Sequence, residues 1–296
     1  EGADARGYQS RILSETSLIK NKDNSTSAGT AGRVGINAES IVLRDGGYIS
    51  TASKGLGNAG EISIEAGYLL MENGAIKSEG THTGAAGSVA LRLANGMTLG
   101  QASSISVTAG QADGGDIRLT THGQVSLIDS ELTASAAGDG GSVRLLGSGN
   151  VMLTDSRISA EAGQDGGNIE VRSPDTFVLQ RSGIVANAIH GNGGNIAIAA
   201  EGYLPSLESA VSASSEFGLE GSVEIDTPET NVGAGFLILA DDLLGAEVNI
   251  ADRCALQLSG DTSSFFINGY GGLSLFSSEI YLPSLFDTDE PPTPEE

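Results

Sequence analysis

Gly166-Gly167-Asn168-Ile169-Glu170-Val171 decides the fold, because the chain repeats it. A small-Gly pair followed by apolar residues at alternate positions also stands at Ala31-Gly32-Arg33-Val34-Gly35-Ile36, Ala59-Gly60-Glu61-Ile62-Ser63-Ile64 and Ala86-Gly87-Ser88-Val89-Ala90-Leu91. The pair recurs at Gly114-Gly115, Gly140-Gly141 and Gly193-Gly194, and the string fades at Glu220-Gly221-Ser222-Val223-Glu224-Ile225. The second glycine falls at 32, 60, 87, 115, 141, 167, 194 and 221. So even a spacing marks a stacked repeat architecture.

Each repeat carries three short segments of alternating polarity. In one copy they are Ile169-x-Val171, Phe177-x-Leu179 and Ile184-x-Ala186. In others they are Ile117/Leu119, Val125/Leu127 and Leu132/Ala134, or Val143/Leu145, Val151/Leu153 and Ile158/Ala160. Alternation at period two is a strand with one buried face. Between segments lie turn formers that tolerate left-handed backbone, such as Asp45-Gly46-Gly47, Glu72-Asn73-Gly74, Asp129-Ser130 and Asp155-Ser156. No window shows helical periodicity, and glycines break every stretch long enough for a helix. The expected fold is therefore all-β: a right-handed parallel β-helix, or solenoid, of about eight triangular coils of ~27 residues, each strand pairing with its equivalent one repeat on. The third segment narrows to alanine at Ala134, Ala160, Ala186 and Ala213, which lets one corner close tightly.

Around this body, residues 1–30 read as an irregular lead-in or incomplete coil using Leu13, Leu18 and Ile19. The β-helix repeats span 31–226. Residues 227–286 read as a terminal coil and cap, with strand-like Phe236-Leu237-Ile238-Leu239-Ala240 and Val248-Asn249-Ile250 and an aromatic group from Phe265 to Phe286. An open solenoid end exposes core and strand edges, and a cap blunts it. Residues 287–296 are an acidic, proline-rich tail expected to be disordered. The start, Glu1-Gly2-Ala3-Asp4-Ala5, lacks the features of a signal peptide, so the chain reads as a fragment or processed piece.

Composition narrows the function classes. The chain has 296 residues, 43 of them glycine, no tryptophan and a formal charge of -23. That charge argues against nucleic acid, whose phosphates need clustered Lys and Arg, and against docking on anionic lipid. It also keeps a long stack in solution. A single cysteine, Cys254, allows no internal disulfide and no cysteine-based metal site.

The repeat resembles those of filamentous-haemagglutinin-like exoproteins of bacterial two-partner secretion. Gly193-Gly194-Asn195-Ile196-Ala197-Ile198-Ala199-Ala200 and Asp155-Ser156-Arg157-Ile158-Ser159-Ala160 carry the likeness over roughly 31–226. A second likeness lies in Cys254, Ser263-Ser264-Phe265-Phe266-Ile267 and Gly269-Tyr270-Gly271-Gly272-Leu273, similar to the family's terminal segment. Tyr270 and Ser274-Leu275 depart from the arginine and prolines of that segment. The family's N-terminal secretion domain is missing from this sequence. The resemblance implies a secreted adhesin held at the bacterial cell surface, outside the outer membrane. Its partners would be a receptor or glycan on a host or neighbouring cell and, through the missing domain, an outer-membrane transporter.

Little catalytic chemistry is legible. His82, His122 and His190 are separated along the stack and read as solvated turn residues. The column before the glycine pair, Asn58, Ala85, Asp113, Asp139, Asp165 and Asn192, has two readings. Asp113, Asp139 and Asp165 form either a weak calcium ladder or a set of favoured turn residues. Arg118, Arg144 and Glu170 read as an ion-paired surface ladder. A glycan-cleaving β-helix clusters acids in a groove on one face, and the adjacent acid pair before the tail, Asp241-Asp242, lies outside the regular coils. Cys254 is either a buried small hydrophobe or a thiol that pairs with another chain. The expectation is a monomeric adhesin shaft with no catalytic residues, no cofactor and no metal. The alternative is a carbohydrate-active enzyme or polysaccharide-binding β-helix.

Overall fold

The computed structural model describes residues 10–17, 19–20, 26–27 and 29–228. The chain divides into two units, Glu1–Thr230 and Asn231–Glu296, and the described residues all belong to the first. The expected cap, acidic tail, Asp241-Asp242 pair and Cys254 lie outside the described residues.

Two parallel sheets dominate. The 10-stranded sheet holds the first and second segments: β4 (Val34–Arg44), β6 (Glu61–Glu72), β8 (Ser88–Gly100), β10 (Asp116–Thr121), β11 (Gln124–Ile128), β13 (Ser142–Leu146), β14 (Val151–Thr154) and β16 (Asn168–Gln180) form its main path with β18 (Asn195–Pro205) and β20 (Ser222–Asp226) beyond it. The 8-stranded sheet holds the third segments: β1 (Arg11–Thr16), β5 (Tyr48–Ser53), β7 (Ala75–Gly80), β9 (Ser104–Ala109), β12 (Glu131–Thr133), β15 (Arg157–Ser159), β17 (Gly183–Val185) and β19 (Ala210–Ser212). A short antiparallel pair, β2 (Ile19–Lys20) with β3 (Thr26–Ser27), lies near the start. Every strand in the two large sheets pairs with its equivalent one coil away, and about seven turns stack with ~27-residue spacing. β20 begins a further coil.

The register aligns identical chemistry in columns. Ile62, Val89, Ile117, Val143, Ile169, Ile196 and Val223 pair in sequence along the first segment. Leu69, Met97, Val125, Val151, Phe177 and Tyr203 do so along the second. Ile49, Ile76, Ile105, Leu132, Ile158, Ile184 and Val211 do so along the third. From Ile62 to Ile196 the first column is essentially inaccessible to water. Burying each such side chain contributes about 1.5–3 kcal/mol.

The three-segment reading is refined in two places. In β4, β6, β8, β16 and β18 the first and second segments form one continuous strand, with register shifts at Ala66/Tyr68 and Ser173/Thr176 that mark the bend. A shift of this kind turns a strand without ending it. Beyond the third strand, single bridges link Ala109, Ala136, Ala162, Ala188 and Ser215. This narrow fourth strip is too short to show as an alternating pattern in sequence.

Candidate functional site

The glycine pair forms the corner where one coil passes to the next. None of the second glycines has φ in the left-handed region; among the described glycines only Gly46 and Gly96 do. Space is what selects glycine here. A Cβ on Gly87, Gly115, Gly141, Gly167, Gly194 or Gly221 would lie 1.8–2.0 Å from the carbonyl oxygen of the glycine one coil back. The alanine column completes the closure. The N–H groups of Gly141, Gly167, Gly194 and Gly221 donate to the carbonyls of Ala134, Ala160, Ala186 and Ala213 at 2.7–3.0 Å.

The acidic column beside this corner has a defined task. Asp139 N–H donates to Asp113 Oδ1 at 3.1 Å, Asp165 N–H to Asp139 Oδ1 at 3.3 Å, and Asn192 N–H to Asp165 Oδ1 at 2.7 Å. Asn192 Oδ1 then accepts from Leu219 N–H at 3.1 Å, and Asn58 Oδ1 from Ala85 N–H at 3.0 Å. Each side chain satisfies the backbone of the next coil. Asn serves as well as Asp, because only an acceptor oxygen is needed. Between the two readings of the column, the turn reading accounts for these contacts without a cation. Among the described residues no group of three His, Cys, Asp or Glu is placed to hold a metal ion.

The turn between the second and third segments holds a second ladder that the sequence did not reveal. Asp45, Asn73, Asp129, Asp155 and Arg181 sit there with φ between 46° and 56°. A serine follows in successive coils. The hydroxyls of Ser156, Ser182 and Ser209 accept the N–H of Ser130, Ser156 and Ser182, each at 3.1 Å. Ser130, Ser156 and Ser182 also donate to the carbonyl two residues back, at 2.7–2.8 Å. These serines are buried and fully satisfied.

On the surface of this turn lies a charged groove over three coils, lined by Asp129, Glu131, Asp155, Arg157 and Arg181. Arg181 donates from Nε and Nη2 to Asp155 at 2.7 and 2.6 Å. These bonds hold the Asp155 carboxyl below the usual carboxylate range and raise the Arg181 guanidinium. Two further grooves follow the bend between first and second segments. One is lined by Asn37, Glu65, Arg92, Thr120 and His122, the other by Arg172, Pro174, Ala199, Glu201 and Asp226.

Outward charges mostly stitch neighbouring coils. Arg33 pairs with Glu61, Arg44 with Glu72, Arg92 with Glu65 and Arg144 with Glu170. The ladder expected through Arg118 is different. Arg118 faces Arg144 in register, so like charges meet, and Arg118 turns to Asp116 on its own strand at 2.6 Å. Glu170 takes a second arginine, Arg172, at 2.6 Å. Exposed pairs of this kind are each worth about 0–1 kcal/mol. The three histidines are exposed and in different coils. Among the described residues His190 stacks on Phe217, at 5.6 Å between centroids.

Fold and surface together define a parallel β-solenoid whose columns are spent on stacking. Searches of protein-family models, curated proteins and solved structures find no match to this chain.

Proposed function

We propose that this chain is the β-solenoid shaft of a secreted or surface-exposed bacterial adhesin of the filamentous-haemagglutinin-like, two-partner-secretion type. It binds and does no chemistry. One observation carries the reading: residues that recur from coil to coil lie inside or at the corners, while the outward positions range from small to basic to acidic along the stack. The first-segment outward column runs Ser63, Ala90, Arg118, Arg144, Glu170, Ala197 and Glu224. A stack built this way holds any outward set at fixed spacing, which suits recognition by an extended surface. The partner is a receptor or glycan on another cell. The test is binding of the purified chain to intact cells and to a glycan array. Binding lost on substituting outward residues, with melting temperature unchanged, supports the reading. Binding no greater than that of an unrelated β-solenoid removes it.

The groove of Asp129, Glu131, Asp155, Arg157 and Arg181 favours a second reading, a carbohydrate-active or polysaccharide-binding β-helix. Acids beside arginines on adjacent coils are the groups such chemistry uses. Release of new sugar ends from acidic polysaccharides, abolished by Asp129→Asn, would establish it in place of the adhesin.

A further inference from the structure

The corner column contains chemistry that ageing proteins rarely survive intact. Asp113, Asp139 and Asp165 each precede glycine, and so does Asn192. In such pairs the glycine N–H, once deprotonated by hydroxide, attacks the preceding Cγ. From asparagine, ammonia leaves and a cyclic succinimide forms. Water then opens the ring at either carbonyl, giving aspartate or isoaspartate, which carries an extra backbone carbon. Aspartate reacts the same way with loss of water, more slowly, because a carboxylate is a poor electrophile.

Stacking blocks this reaction at both ends of the new bond. The attacking nitrogens are engaged: the N–H groups of Gly114, Gly140, Gly166 and Gly193 donate to the carbonyls of Asp139, Asp165, Asn192 and Leu219, each at 2.8 Å. The electrophiles are also held, since Asp113, Asp139, Asp165 and Asn192 point an oxygen at the same residue of the next coil. To react, a corner must first lift off the coil that follows it. The first three corners are covered by complete coils. Among the described residues Asn192-Gly193 is held by Leu219, which is 74% exposed and leads into β20. Val223 and Ile225 of β20 are 44% and 40% exposed, against 1% for their partners Ile196 and Ile198. Little burial holds that guard down, and such elements open at low free energy.

We propose that Asn192-Gly193 is a modification site, the asparagine–glycine pair among the described residues that loses ammonia first in the folded chain. Aspartate at 192 continues the column of Asp113, Asp139 and Asp165 and is tolerated. Isoaspartate lengthens the corner by one carbon, breaks the Gly193-to-Leu219 bond and moves Gly194 off the carbonyl of Gly167.

The test is peptide mapping by mass spectrometry of the full chain held at mildly alkaline pH, folded and in urea. Asn73-Gly74 and Asn95-Gly96 serve as internal references. The expected result is that Asn192 converts before either reference in the folded chain, yet at least several-fold slower than in urea. Leu219→Pro, which removes the N–H that holds Asn192, accelerates conversion at 192 and leaves the references unchanged. Should that variant not fold, the reference ordering in the unaltered chain decides alone. Earlier conversion at Asn73 or Asn95 overturns the proposal. So does equal speed at Asn192 in folded and unfolded chain, or none in the folded chain while the unfolded chain converts fully.

Discussion

Gly141 packs directly on the carbonyl of Gly115, and a Cβ at 141 would lie 1.9 Å from that oxygen. Backbone cannot yield there as a flexible side chain could. Gly141→Ala should therefore push two coils apart and cost about 3 kcal/mol, the upper range for overpacking. Gly35, exposed on β4 with nothing within 4 Å of its Cβ position, is the control. Gly35→Ala should change stability by no more than about 0.5 kcal/mol. Urea midpoints of the two variants check the contrast. Similar small changes in both would mean that the glycine column is not a close-contact column.

The serine ladder predicts a different penalty. Ser156 Oγ accepts Ser130 N–H at 3.1 Å and gives its own proton to the Thr154 carbonyl at 2.7 Å. Ser156→Ala removes almost no volume but leaves the Ser130 N–H without an acceptor. An orphaned buried donor costs about 1–3 kcal/mol. Hydrogen exchange at the Ser130 amide should quicken in this variant while amides two coils away keep their protection. An unchanged Ser130 amide would show that its donor finds water.

These two ladders show what sequence could and could not reveal. The inward residues were legible because a strand with one buried face must alternate, so Ile169/Val171 and Ile184/Ala186 announce themselves locally. The repeat length gave stacking, and stacking gave the columns. The reason for Gly141 was not legible, since a glycine chosen for φ and one chosen for contact look alike in sequence. The Ser130–Ser156 bond was hidden too: its partners are 26 residues apart and meet only after the coils close. Continuous strands such as β16 were missed because alternation lapses between Val171 and Phe177, where the structure carries the strand through a register shift. The charged groove around Asp129 and Arg181 spans three coils, and no single repeat contains its pattern.

Acid should weaken the stack through Asp155. Its pairing with Arg181 lowers the folded-state pKa below the unfolded value, which is about 3.9. The unfolded chain therefore takes up its proton first as pH falls. The stabilisation is fully present above the unfolded value and is lost as pH drops through the folded one. In Asp155→Asn, the fall in melting temperature below about pH 4 should be shallower than in the parent. Both residues are half-exposed, so added salt should narrow the difference. Identical pH profiles would leave the ion pair without a share in stability.

The acidic corner gives a sharper separation of roles. Asp139 supplies an acceptor to Asp165 N–H, as Asn192 does to Leu219. Asp139→Asn keeps the acceptor and should be neutral within about 0.5 kcal/mol. Asp139→Ala removes it and should cost about 1 kcal/mol. Millimolar calcium should leave the melting temperature of all three forms alike. A rise in the parent that Asp139→Asn abolishes would instead restore the calcium ladder.

Phe177 offers the test of column packing. It is fully buried in β16, paired in register between Val151 and Tyr203, with 5.9 Å between its ring centroid and that of Tyr203. Other coils fill this position with Leu69, Met97 or Val125. Phe177→Ala should open a cavity there and cost about 3–5 kcal/mol. Phe177→Leu, the side chain that Leu69 places in the same column, should cost only about 1 kcal/mol. Tyr203 reports on the same space, because burial raises its pKa above the ordinary phenol value. Water entering the alanine cavity should bring the Tyr203 titration back toward about 10, and leucine should leave it raised. A Tyr203 titration unchanged in Phe177→Ala would mean that its burial owes nothing to Phe177.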